Sequence, residues 1–202
     1  MYTPPAFAEN RPEELLEIMR ATSLPILVSP TASGLIATHL PLHVVSPDRI
    51  IGHVAKANTH WRDVLPNSES LAIFAATDGY VSPSWYPSKA ETGKVVPTWN
   101  YQAVHATGTL EIIEDPAELL AIVTTLTKHH EAGRAKPWAV SDAPADYIAS
   151  QLKGIVGLVL HVTRLEGKAK LSQNKSMADR IGVIEGAAPE NPALAAAMRK
   201  TL

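Results

Sequence analysis

Apolar residues recur in short runs between turn formers over the first half of the chain, and at helical spacing in several later segments. Leu24 to Ser29 and Leu35 to Val45 are two such runs joined by Pro30-Thr31-Ala32-Ser33-Gly34, a pattern that predicts a hairpin. Ser46-Pro47-Asp48 then turns the chain into a buried strand over Arg49 to Ala55, and a further strand, Leu71 to Ala76, follows the Pro66-Asn67-Ser68 loop. Closely spaced strands with short turns predict an antiparallel sheet or barrel, because a doubly wound fold needs a helix between each pair. Lys94 to Ile113 reads as a long strand interrupted near Asn100, and Ile155 to Leu165 as another. The expected fold class is therefore mainly β with peripheral helices.

The helices announce themselves by their caps. Asn10-Arg11-Pro12-Glu13 precedes Leu15, Leu16, Ile18 and Met19 with a cap, a first-turn proline and an acid. Asp115-Pro116-Ala117-Glu118 opens a second, in which Leu119, Leu120, Ile122, Val123 and Leu126 keep the helical period up to a stop at Gly133. Further helices are expected over Pro144 to Gln151, Met177 to Ile184 and Asn191 to Arg199. No internal repeat and no long linker appears, so the chain is read as one domain over residues 1–185 with a helical tail over 186–202. Gly79 to Pro87 reads as an irregular aromatic segment.

Composition narrows the classes. With 202 residues, 46% of them hydrophobic, the chain can build a substantial core. Absence of cysteine removes disulfides, thiolate metal sites and a cysteine nucleophile. No apolar run is long enough for a membrane span, and no signal peptide opens the chain, so a cytoplasmic protein is expected. A net charge of −2 argues against a chain devoted to nucleic acid. One local basic excess, Arg164, Lys168, Lys170, Lys175 and Arg180 against Glu166 and Asp179, reads as a solvated face, a cofactor-phosphate contact or a small nucleic-acid patch.

Much familiar chemistry is missing. There is no Gly-rich phosphate loop, no dinucleotide fingerprint, no Gly-x-Ser-x-Gly and no His-Glu-x-x-His. His39 and His43 lie roughly 13 Å apart along a strand, too far to share a metal. His129 and His130 are assigned to a helix C-terminus and its dipole. No metal ligand and no catalytic residue is assigned. One stretch stands out, Gly52-His53-Val54-Ala55-Lys56-Ala57-Asn58-Thr59-His60-Trp61, a strand that delivers polar groups to a capped helix start. Amides at such a start, with Lys56, Asn58, Thr59 and His60, form a candidate anion site.

Five segments together resemble one family: Thr38-His39-Leu40-Pro41, the Gly52 to Trp61 stretch, Tyr80-Val81-Ser82-Pro83-Ser84-Trp85-Tyr86, Val96-Pro97-Thr98-Trp99-Asn100-Tyr101 with Val104-His105, and Lys170-Leu171-Ser172-Gln173-Asn174-Lys175. They are similar to the PaiB-like FMN-binding negative transcriptional regulators, within the split-barrel group that includes pyridoxamine-phosphate oxidase. The resemblance runs from Met1 to about Gly182, and departs from the family pattern at Thr59 and His60. It implies a homodimer of six-stranded antiparallel split β-barrels with FMN at the subunit interface. Thr38, His39 and Leu40, with His53, Val54 and Ala55, would flank the isoalloxazine. Lys56, Asn58, Thr59 and Trp61 would lie toward the phosphate. Trp85, Asn100, Tyr101, Lys170, Ser172 and Gln173 would come from the other subunit. DNA as a partner is weakly supported, because no helix-turn-helix, zinc finger or basic arm is present. An FMN-dependent oxidoreductase is the alternative, and a haem protein using His39, His53 or His105 is a third reading.

Overall fold

The computed structural model describes residues 1–202. In chain order the elements are β1 (Ala8–Glu9), α1 (Pro12–Ala21), β2 (Ile26–Thr31), β3 (Gly34–His39), β4 (Leu42–Ser46), β5 (Arg49–Ala55), α2 (His60–Asp63), β6 (Glu69–Val81), α3 (Ser88–Thr92), β7 (Thr98–Ile113), α4 (Pro116–Glu131), α5 (Ala145–Leu152), β8 (Ile155–Lys170), α6 (Met177–Ala187) and α7 (Pro192–Arg199). The strands form one sheet in the order β3-β2-β6-β7-β8-β5-β4, with β1 added on β8. The mainly β, antiparallel class is as expected, but the sheet has eight strands where the resemblance implies six, and its order has two ends, β3 and β4.

The apolar run from Leu35 to Val45 explains part of that difference. Pro41 lacks an amide hydrogen and cannot continue a ladder, so the run splits there into β3 and β4, which pair with β2 and β5 respectively. Strands β6 and β8 are longer than their apolar cores predict. Asn100 does not interrupt β7, because its side chain is buried and satisfied by Ser172: Asn100 Nδ2 donates to Ser172 Oγ at 2.9 Å.

The chain divides into two compact units. Unit 1 comprises Met1–Thr22, Phe74–His105 and Glu166–Leu202. Its core joins Val81, Tyr86, Ala169 and Leu171 to Val183 and Ile184 of α6 and to Leu194 and Met198 of α7. Arg11 rather than Asn10 is the N-cap of α1, and Glu9 Oε1 accepts its amide at 2.9 Å. Asn191 caps α7, accepting from the Leu194 amide at 3.0 Å.

Unit 2 comprises Ser23–Ile73 and Ala106–Leu165. Asp115 caps α4 by accepting from the Ala117 and Glu118 amides. Leu119, Ile122 and Leu126 then pack on Ile51 of β5 and Val159 of β8. A Cβ at Gly157 would lie 2.9 Å from Ile122 Cδ1, so α4 rests directly on the β8 backbone.

Candidate functional site

The Gly52 to Trp61 stretch is built as β5, a tight loop and one helical turn. Residues on β5 are buried from Ile50 to Gly52 and at Val54, while His53 is half-buried and Ala55 emerges. Lys56 N donates to Gly154 O and Asn58 N to Ala55 O, both at 2.8 Å, which fixes the loop against the start of β8. Asn58 Oδ1 accepts the His60 amide at 2.9 Å and so acts as the cap; Thr59 makes no side-chain capping bond. Helix α2 is only four residues long, too short to carry a useful dipole.

His60 corrects the sequence reading. It is fully buried, with Nδ1 2.8 Å from Thr38 Oγ1 and Nε2 2.8 Å from Ser29 Oγ, and Ser29 Oγ is 2.7 Å from Ser70 Oγ. Both ring nitrogens are therefore occupied, and His60 cannot donate to an anion. Burial, partly opposed by Asp63, pulls its pKa below the ordinary histidine range, so the ring is neutral and one nitrogen accepts. The chain Ser70–Ser29–His60–Thr38 ties β6, β2, the loop and β3 together. Asn58 Nδ2 also reaches Thr38 Oγ1 at 3.5 Å. Thr38, expected beside the flavin ring, and Asn58, expected toward its phosphate, are thus both parts of one frame. Neither Ser29 nor Ser70 carries a motif that sequence reasoning could have used.

Around this frame the remaining residues of the first set divide by role. Leu40 and Val54 are core side chains. His39, Ala55, Lys56 and Thr59 are exposed. Lys56 Nζ pairs with Glu114 Oε1 at 3.2 Å, and Trp61 Nε1 donates to Lys56 O at 3.2 Å with Arg62 over its ring. Trp61 lines an open groove of about 510 Å³ that also includes Glu111 and His161, whose Oε2 and Nε2 are 2.6 Å apart. His53 is different. Its Nδ1 is buried with no hydrogen-bond partner, and desolvation lowers its pKa, which keeps the imidazole neutral.

The second predicted set, Trp85, Asn100, Tyr101, Lys170, Ser172 and Gln173, lies in unit 1. Lys170 Nζ donates to Thr98 Oγ1 at 2.7 Å and to the Trp99 carbonyl. Burial, then Lys168 and Lys175, lowers its pKa. The turn behind it is held by its own polar groups. Gln173 Oε1 accepts from Leu171 N at 2.7 Å while Nε2 donates to Ala169 O at 2.6 Å. Ser172 adopts φ 66°, a left-handed conformation unusual for serine, and exchanges hydrogen bonds with Asn100. Tyr101 lies 5.2 Å from Lys168 Nζ. Trp85 packs on α6, where a Cβ at Gly186 would come within 2.3 Å of the indole.

Comparison with known proteins identifies the family of the chain. A family model described as "Putative FMN-binding domain" matches residues 1–164. The chain is 35% identical to "Protease synthase and sporulation protein PAI 2" of Bacillus subtilis over 92% of this chain and 88% of that protein. It is 32% identical to an uncharacterized protein of Aspergillus fumigatus over 92% of this chain and 90% of that one. Among solved structures, the FAD and heme binding protein from Mycobacterium smegmatis shares the fold with a TM-score of 0.63 at 16% identity, covering 86% of this chain and 78% of that one. The flavocytochrome Anf3 from Azotobacter vinelandii does so with a TM-score of 0.60 at 16% identity, covering 81% and 69%. The sequence matches extend over most of the chain and the fold is shared, and on those grounds the chain belongs to the PaiB-like FMN-binding-domain family.

Proposed function

We propose that the chain binds FMN, two molecules per homodimer, with the flavin ring against His53, Val54 and Ala55 of β5 and the Thr38 to Leu40 end of β3. The observation that carries this reading is the match of residues 1–164, which include both β3 and β5, to the putative FMN-binding domain. Lys56, Asn58, Thr59 and Trp61 then face the ribityl phosphate, with Lys56 exchanging its exposed partner Glu114 for a dianion. In the homodimer the other subunit contributes Trp85, Asn100, Tyr101, Lys170, Ser172 and Gln173. Lys170 supplies charge, and the other polar groups hold its turn. When bound, FMN supplies hydride or electron chemistry, and the protein binds and orients it.

The flavin serves negative regulation of transcription, a reading supported by family membership and by the relative named for protease synthase and sporulation. Contact with DNA is indirect. Lys168, one of the basic residues that a DNA-facing patch would need, is buried, donates to Tyr2 O at 3.0 Å and lies over the Tyr2 and Tyr101 rings. A second reading, an FMN-dependent oxidoreductase, is supported by the fold shared with flavin-binding proteins. Titration with FMN tests the shared claim: tight binding with quenched flavin fluorescence supports it, and no binding overturns it. Turnover with NADH or NADPH selects the enzyme, whereas sequence-selective, salt-dependent retention of a promoter fragment selects direct regulation.

A further inference from the structure

Three histidines from two distant segments of the chain, His43 and the adjacent His129 and His130, meet in unit 2, and elementary geometry explains why. His43 on β4 is the cross-strand partner of Ile51 on β5, so both side chains point to one face of the sheet. Ile51 packs against Leu119, Ile122 and Leu126 of α4. His129 and His130 follow Leu126 by three and four residues, which brings them onto the same helix face. The His43 and His129 ring centroids are consequently 4.5 Å apart with planes tilted by 52°, and His130 lies 5.1 Å from His129.

We propose that His43 and His129 form a surface binding site for a borderline first-row divalent cation such as Cu²⁺, Ni²⁺ or Zn²⁺. A metal about 2.1 Å from one nitrogen of each imidazole lies roughly 3.2 Å from each ring centre, and ligands at a near right angle then hold the rings roughly 4.5 Å apart. That is the separation found here. Imidazole pairs select borderline cations over Mg²⁺ and Ca²⁺, and the affinity order follows Cu²⁺ above Ni²⁺. The C-terminal turn of α4, where His129 sits, carries the negative end of the helix dipole and so favours a cation. No set of three His, Asp or Glu side chains converges for a metal, so water completes the coordination and the site is open. His130 flanks the pair without serving as a ligand.

The test uses the full chain without a histidine tag. Isothermal titration with CuSO₄ at pH 7.5 should show one site per chain, with NiCl₂ and ZnCl₂ weaker and MgCl₂ silent. His43→Gln and His129→Gln should each weaken Cu²⁺ binding by roughly tenfold or more, because the chelate loses one arm, while His161→Gln leaves it unchanged. The electron paramagnetic resonance spectrum of the one-equivalent Cu²⁺ complex should show coupling to two imidazole nitrogens. Binding unaffected by both substitutions, or a spectrum without imidazole nitrogens, overturns the proposal.

Discussion

At the scale of single residues, neutral histidines do much to define this molecule. His53, His60 and His105 all have pKa values lowered by burial. Each takes up a proton more readily when the chain unfolds, so its stabilising contribution is complete above the unfolded value near 6.5 and is lost as pH falls toward the folded value. Urea melts at constant ionic strength should therefore be level above about pH 7 and decline below about 6.5, by up to roughly 1.4 kcal/mol per pH unit for each histidine. A midpoint unchanged down to pH 5 would contradict the assignment. His60 is the most exacting case. His60→Ala removes the partner of the buried Ser29 hydroxyl and the half-buried Thr38 hydroxyl and leaves a cavity, and should cost about 3 kcal/mol or more in the same assay. Lys56 should behave in the opposite way. Its ion pair with Glu114 is exposed, so Lys56→Gln should change stability by less than about 0.5 kcal/mol while weakening FMN binding by about tenfold or more.

Between elements, close backbone approach sets the architecture. Gly182 and Gly186, one turn apart on α6, seat Trp85: a Cβ at the first would lie 2.2 Å from Trp85 O and at the second 2.3 Å from the indole. Gly186→Ala should displace the indole, reduce stability by about 1–3 kcal/mol and alter the near-ultraviolet dichroism of the tryptophans; unchanged spectra and stability would contradict this packing. Such pairs show which parts of the fold the sequence makes legible. The α4 cap at Asp115, the β2–β3 hairpin and β5 follow from local residue order, because caps, turn formers and apolar alternation act within a few residues. The split at Pro41 was available in principle, since proline interrupts ladders, but the apolar run around it hid the break. The roles of Gly186, Ser29 and Ser70 depend on residues tens of positions away, and no local pattern encodes them. The candidate site shows the same division: the strand–loop–helix course of the Gly52 to Trp61 stretch follows from local order, whereas the contact of Thr38 with Asn58, the burial of His60 and the missing partner of His53 Nδ1 emerge only from packing.

For the whole molecule, family membership leads to one claim, the proposal that the chain binds FMN. The two sets of candidate site residues lie one in each compact unit, and in the proposed homodimer each set would meet the partner's complementary set. Sedimentation should accordingly report a dimer, and the Lys170→Gln variant should remain dimeric while binding FMN more weakly. The central claim is tested most directly by titrating the purified protein with FMN and reading flavin fluorescence alongside the His53 ring resonances. One FMN bound per chain, with quenched emission and a His53 imidazole signal that shifts on binding, is the predicted result. FMN that remains fully fluorescent at saturating protein, with His53 unmoved, would contradict it.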